Sequence, residues 1–311
     1  RSALDAGTDR PVQSAAMKRD IMTNPRERHW VIDDLPLSGL AWGPEDGTPV
    51  LALHGWMDHA GSFQVLAPLL QGCHVVALDL SGQGHSGHRA PHATYNIWDD
   101  LPQIVGLLDQ LGWQDCVLLG HSRGANISAL LAAALPERAR AFVALDSLVP
   151  EPTKDSVVAT LRAFFQQTRS QAERPARIFK ARDAYITRRV KQGNSVGTAE
   201  ALAGRALEET PEGFRMRGDP RLFASSAIKL TQSQVVDVLQ AIRCPILNIW
   251  ATKGILQSCP KFAGLVRRAE DLVSNYEKLQ LAGDHHLHLE ANAARQIAKA
   301  VLAFLERHGL R

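Results

Sequence analysis

Gly120-His121-Ser122-Arg123-Gly124 sets a serine hydroxyl between two glycines, directly after the apolar run Val117-Leu118-Leu119 and directly before a stretch of small residues. A serine hydroxyl is a weak nucleophile until a neighbouring base and a fixed geometry activate it. A strand that turns sharply into a helix supplies such a geometry. It lifts Ser122 above the sheet edge, and the flanking glycines remove side chains that would strike the turn and the adjoining strand. The helix N-terminus behind the serine adds a positive dipole end and unpaired N–H groups where an oxyanion would form. The five-residue pattern alone is common. Its strand-to-helix context makes it informative, and it calls for partners elsewhere in the chain.

His54-Gly55-Trp56-Met57 follows the apolar run Pro49 to Leu53. By itself His-Gly reads as a tight turn. Beside the serine turn it can aim a backbone N–H, that of Trp56, at the same oxyanion as the N–H of Arg123, and losing one such donor typically costs about 3–4 kcal/mol of transition-state stabilisation. A base should lie on a loop near the C-terminus, and Gly283-Asp284-His285-His286-Leu287-His288 offers three histidines. His285 comes first after the Gly-Asp turn, where the loop overhangs the sheet, and is the expected base. His286 should point the other way. His288 begins a helical region and should hydrogen-bond within the loop. The same cluster invites a metal reading, but no matching Asp, Cys or His group is evident elsewhere, so neither a metal nor a cofactor is expected.

The base needs an acid that locks its tautomer and balances its charge. The loop after the strand Pro245 to Trp250 reads Ala251-Thr252-Lys253-Gly254-Ile255-Leu256, with glycine where an aspartate would be looked for and no carboxylate until Glu270. Asp146, at the end of the strand after the serine helix, is the best substitute, because the carboxyl ends of neighbouring parallel strands converge on one rim. Capping the segment that follows is its alternative role, and Glu151 is held in reserve as the acid. The loop Asp79 to His88 carries Gly82-x-Gly84 but lacks the spacing and the Lys-Ser/Thr of a phosphate cradle; Asp79 is expected to tie that loop to backbone amides.

Around these residues the chain alternates strands and helices, which predicts a mostly parallel α/β sheet covered on both faces. Trp30 to Ile32 and Leu37 to Trp42 read as an antiparallel opening pair. Buried strands follow at Pro49–His54, His74–Asp79, Cys116–Gly120 and Ala141–Leu145, with helices at Phe63–Leu70 and Ile97–Leu111. From Val149 to about Leu230 the rhythm breaks into helical, charged sequence carrying about +6, against +3 for all 311 residues. Residues 149–230 are therefore expected to form an inserted helical cap. Residues 29–148 and 231–311 then form the core, and residues 1–28 a tail that is cloning-derived, upstream or disordered. A solvated helical face is the simpler account of the charge, and a taste for acidic substrates the other.

At 45% hydrophobic and 22% charged residues the composition is that of a globular protein. No apolar run is long enough to span a membrane, and no basic run interleaves with aromatics as nucleic-acid binding would need. Four scattered cysteines suggest reduced thiols and a cytoplasmic setting. Oligomeric state is left open.

His54-Gly55-Trp56, Asp79 to Ser86, Gly120 to Gly124 and His285 to Glu290 together resemble the α/β-hydrolase family, over roughly Arg28 to His308, and within it the capped serine hydrolase-like proteins. The resemblance implies an eight-stranded sheet with a lid after the sixth strand and a triad of Ser122, Asp146 and His285. Some relatives, a branch of haloalkane dehalogenases among them, place the acid after the sixth strand, which suits Asp146. Those dehalogenases and the related epoxide hydrolases carry an aspartate nucleophile, which Ser122 argues against. The expected function is a serine hydrolase acting on a small-molecule ester or related acyl substrate, with Trp56 and Arg123 as oxyanion donors. Phe164, Phe165, Tyr185 and Phe223 are the candidate pocket lining. A cofactor-free perhydrolase or C–C bond hydrolase is the alternative on the same triad, and a non-catalytic binding protein the alternative outside enzymes.

Overall fold

The computed structural model describes residues 24–259 and 262–311. Strands β1 (Arg26–Ile32) and β2 (Leu35–Trp42) form the expected antiparallel pair. Asp33 and Asp34 turn the chain between them with φ of 50° and 60°, the hand that matches the twist of paired strands. The tail expected to reach Arg28 is shorter, because Arg26 already pairs with Ala41; the rest of that tail, residues 1–23, lies outside the described residues.

Four buried strands and two helices come next: β3 (Thr48–Leu53), β4 (Cys73–Leu78), α1 (Leu101–Gln110), β5 (Cys116–His121), α2 (Arg123–Ala134) and β6 (Ala139–Leu145). The helix expected over Phe63–Leu70 is instead two 3-10 turns, Ala60–Phe63 and Ala67–Leu69. Pro68 has no N–H to give, and the stretch is too short to hold a helix without it.

After β6 the insertion contains α3 (Val157–Ala172), β7 (Ile178–Phe179), α4 (Arg182–Lys191), α5 (Val196–Ala206), β8 (Leu207–Thr210) and β9 (Gly213–Met216). It is not wholly helical: β7, β9 and β8 form a separate antiparallel sheet over a small core of Tyr185, Ala203, Ala206 and Leu207. Strands of two to four residues that remain half exposed leave no apolar run to read. Arg205 of α5 fastens the insertion down, pairing with the buried Asp79 at 2.5 Å and with Glu27 of β1 at 2.7 Å. Burial alone would raise the Asp79 carboxyl; Arg205 outweighs it and holds the group below the usual carboxylate range. Asp79 also accepts from the Ala60 and His85 N–H groups, as expected of it.

The core resumes with α6 (Gln232–Ala241), β10 (Ile246–Lys253), α7 (Ile255–Ser258), α8 (Phe262–Leu272), β11 (Tyr276–Asp284) and α9 (Ala291–Arg307). The main sheet has eight strands in the order β1-β2-β4-β3-β5-β6-β10-β11, with β2 antiparallel to its neighbours and all other pairs parallel. Successive residues along β5 face opposite sides. Leu118 packs in the layer containing Ile104, Ile127, Val235 and Leu265, while Leu119 packs with Phe63, Ile297 and Val301. Both faces are buried, so the strands read as unbroken apolar runs.

The tightest backbone approach is at the β5–α2 turn. A Cβ on Gly124 would overlap the Leu53 carbonyl, and one on Gly120 the Ala125 backbone. Because the obstacles are main-chain atoms, Gly124→Ala should destabilise the fold by about 3 kcal/mol in urea denaturation. An unchanged midpoint would mean that the turn does not depend on this close packing.

Candidate active site

Three residues with side chains take left-handed backbone angles at the carboxyl rim of the sheet: Met57 (φ 59°), Ser122 (φ 51°) and Asp146 (φ 45°). Such angles cost of order 1–3 kcal/mol each and persist where surrounding structure imposes them. Ser122 is the residue between β5 and α2, with ψ of −117°, and its N–H donates to Leu145 O at 3.2 Å. In register, His121 lies opposite Leu145, so Ser122 and Asp146 leave adjacent strands side by side.

Asp146 is fully buried. Its N–H donates to Ile249 O at 2.8 Å, which turns the carboxylate across the end of β10, where it accepts from the Ala251 and Ile255 N–H groups at 2.9 Å each. The space it fills is the space a side chain at 254 would need: a Cβ on Gly254 would run into the Asp146 carboxylate. The glycine at that position and the carboxylate on the neighbouring strand are therefore one arrangement.

His285 follows β11, beyond β10, and its Nδ1 lies 2.6 Å from Asp146 Oδ2. A carboxylate only accepts, so Nδ1 carries the proton and Nε2 keeps its lone pair. The His285 side chain is about one-third exposed. The His285 carbonyl accepts from His121 Nε2 at 2.8 Å, which props the loop from below.

His286 faces away from His285, as expected. Its Nε2 donates to Asp58 Oδ2 at 2.9 Å while its Nδ1 accepts from Asn194 Nδ2 at 3.0 Å. Asp58 also takes Arg189 of α4 at 3.0 Å. Burial would raise the Asp58 carboxyl, but His286 and Arg189 hold it well below the usual range. This link between the insertion and the His285 loop has no signature in the sequence, since Asp58 and His286 lie 228 positions apart.

His288 departs from expectation. It makes no hydrogen bond within the loop; it is fully buried, neither ring nitrogen meets a partner, and it packs against Phe63 and His121 at ring separations of 5.6 and 4.3 Å. Burial pushes it down to about 3.

Asp58, His121 and His286 present ligand-type atoms within 4.8 Å of one another, a grouping the sequence did not reveal. Arg189 and His286 already satisfy the Asp58 carboxylate, so a cation there would have to compete with a guanidinium. His286 and Arg189 bond Asp58, whereas His121 Nδ1 lies 3.8 Å from Asp58 Oδ2 and makes no hydrogen bond.

The turn at Trp56 is fixed by the next residue, whose N–H donates to Gln83 Oε1 at 2.7 Å. Arg123 opens α2, so its N–H has no carbonyl partner within the helix. Its side chain bonds Asp100 at 2.7 Å.

Trp56 stands between two cavities, its Nε1 donating to Leu222 O at 2.9 Å and its ring edge-on to Phe223 at 5.0 Å. One cavity, of about 310 Å³, lies between Trp56–Met57 and the insertion and is lined in part by Tyr185 and Phe223. The other, of about 270 Å³, is lined by Trp56, Arg123, Tyr95 and Leu230 among others. Two of the four expected lining residues fall elsewhere. Phe164 borders a crevice of about 20 Å³ beside Tyr95 and Arg221. Phe165 is 66% exposed, on the outer face of α3.

The fold and this rim define an α/β hydrolase. The family model for the alpha/beta hydrolase fold matches residues 48–256, and the chain belongs to that family. It is similar to a serine hydrolase-like protein of Dictyostelium discoideum, 28% identical over 87% of this chain and 79% of the relative, and to one of Danio rerio, 28% identical over 87% and 85%. Among solved structures it resembles a hypothetical protein from Pseudomonas aeruginosa PAO1, with a TM-score of 0.85 and 36% identity over 90% of this chain and 99% of that one. Both relatives are named serine hydrolase-like proteins. Among the described residues no helix is long and apolar enough to cross a membrane.

Proposed function

We propose that the chain is a serine hydrolase that cleaves a carboxylic ester or related acyl bond through Ser122, His285 and Asp146. The observation that carries this reading is the 2.6 Å bond from His285 Nδ1 to Asp146 Oδ2, on the strand next to the one that ends at Ser122. With Nδ1 locked as a donor, Nε2 accepts the Ser122 proton as Oγ attacks the carbonyl. The new oxyanion lies between the N–H groups of Trp56 and Arg123. His285 then returns the proton to the leaving group, and water repeats the sequence to release the acid. Residues 149–230 act as a cap that shapes the acyl and leaving-group pockets and limits access of water. Cys73, Cys116 and Cys244 are buried thiols that burial pushes up to about 11, 12 and 12, and the unpaired state of all four cysteines suits a cytoplasmic setting.

A fluorophosphonate probe tests the reading, because it labels only an activated serine. Native protein should label stoichiometrically and Ser122→Ala not at all, and a panel of short to long acyl esters should then be turned over by the native chain. Folded native protein that neither labels nor turns over an ester would refute the reading and favour a binding protein on the same fold.

A further inference from the structure

The 310 Å³ cavity is lined by four arginines, Arg174, Arg177, Arg188 and Arg189, and by no aspartate or glutamate. They come from three places in the insertion: the segment after α3, the residue before β7, and the last turn of α4. Arg189 is neutralised by Asp58, yet its buried Nε has no partner. Arg174, Arg177 and Arg188 are exposed, and among the described residues none of them forms an ion pair. The same lining includes the apolar side chains of Trp56, Met57, Met216 and Phe223. Residues 149–230 carry 15 Lys and Arg against 9 Asp and Glu, a net +6 that leaves −3 for the rest of the chain. Guanidinium groups gathered around one concavity repel one another unless an anion is shared between them, and their planar fork matches the oxygens of a carboxylate or phosphate.

We infer that this cavity is a subsite for a carboxylate or phosphate borne by the substrate at a distance from the scissile carbonyl. Trp56, whose N–H is the proposed oxyanion donor, lines this cavity too, so an acyl chain can run along Trp56, Met57 and Phe223 and end in the charged group among the arginines. This deepens the proposed function and, for turnover, rests on it. The substrate class is then an ω-anionic acyl ester, and the neutral ester of equal chain length is the poorer substrate.

Two measurements test the subsite. In the first, kcat/KM is compared for p-nitrophenyl hexanoate and the p-nitrophenyl monoester of adipic acid, with native protein and with the double variant Arg174→Gln/Arg188→Gln. Native protein should favour the charged ester at least tenfold. The double variant should lose that preference while its rate on the hexanoate stays within about twofold. Equal rates on both esters in native protein, or an equal loss on both in the variant, would overturn the inference. In the second, free adipate and inorganic phosphate are titrated against native protein and the double variant at constant ionic strength, with tryptophan fluorescence reporting on Trp56. Whichever anion binds should bind at least tenfold more weakly to the variant, and the anion preferred identifies the group. Binding that is absent from native protein, or unchanged in the variant, would overturn the inference without turnover being needed. Failure of the proposed function itself looks different: neither ester is cleaved and the serine does not label, while anion binding persists.

Discussion

Asp146→Asn should lower kcat for ester hydrolysis by about four orders of magnitude with little change in the fold. The amide can still accept from the Ala251 or Ile255 N–H, so the buried site stays filled. What it cannot do is hold the Nδ1 proton of His285 with a full charge: an amide NH₂ turned toward the ring selects the wrong tautomer and removes the partner of the developing imidazolium. Gly254→Ala approaches the same bond from the other side. Its Cβ collides with the Asp146 carboxylate, so either the acid moves off His285 or the β10–α7 loop shifts, and kcat should fall although no reacting group has been altered. Rates that fall together in both variants, with KM and melting temperature nearly unchanged, fit an acid acting through His285. Full activity in Asp146→Asn would remove Asp146 from the triad and turn attention to Glu151, on the wall of the 270 Å³ cavity.

The glycine at 254 also shows how far the sequence could be read. From sequence it was an absence, an expected acid missing from its usual loop; in three dimensions the same glycine is the opening that lets a carboxylate from β6 reach a histidine after β11. Strand order is what makes this legible, since the parallel strands β5, β6, β10 and β11 lie side by side with their carboxyl ends on one rim. Ser122 and Asp146 could be picked out because each ends a recognisable apolar run, and His285 because it comes first after the Gly283-Asp284 turn. Asp58, His286 and Arg189 could not, because their link joins three distant segments through side chains and no periodicity records it. The insertion was legible only as a break in rhythm and an excess of positive charge. Its small sheet is too short and too exposed to leave a pattern, and which cap aromatics meet a cavity depends on how their elements dock: Phe165 of α3 is exposed, while Phe223, in the 3-10 turn Pro220–Phe223, lines the 310 Å³ cavity.

Mild acid should unfold this protein, and histidines should be the cause. His54, His59, His121 and His288 are fully buried, and burial lowers each below its ordinary value, His59 to about 4 and His288 to about 3. Unfolded, each takes up a proton near pH 6.5. Between that value and its folded pKa the unfolded chain therefore binds more protons, and stability falls as pH falls, by about 1.4 kcal/mol per pH unit for each histidine. Against a total of about 5–15 kcal/mol, several such groups are enough to bring the urea midpoint down steeply between pH 6.5 and 5. Asp58 and Asp79 cannot produce this slope. Their carboxyls are held below the ordinary range, so their contribution is complete above pH 4 and is lost only as pH falls through their folded values. His288→Leu isolates one of the histidines, because neither of its ring nitrogens has a partner to lose and its neighbours include Phe63. The variant should gain about 2 kcal/mol over native protein at pH 5 relative to their difference at pH 8, read from urea denaturation at both values. Parallel pH curves for the two proteins would show that His288 is not a source of the acid sensitivity, whereas curves that converge above pH 6.5 and separate below it identify the buried neutral imidazole as one.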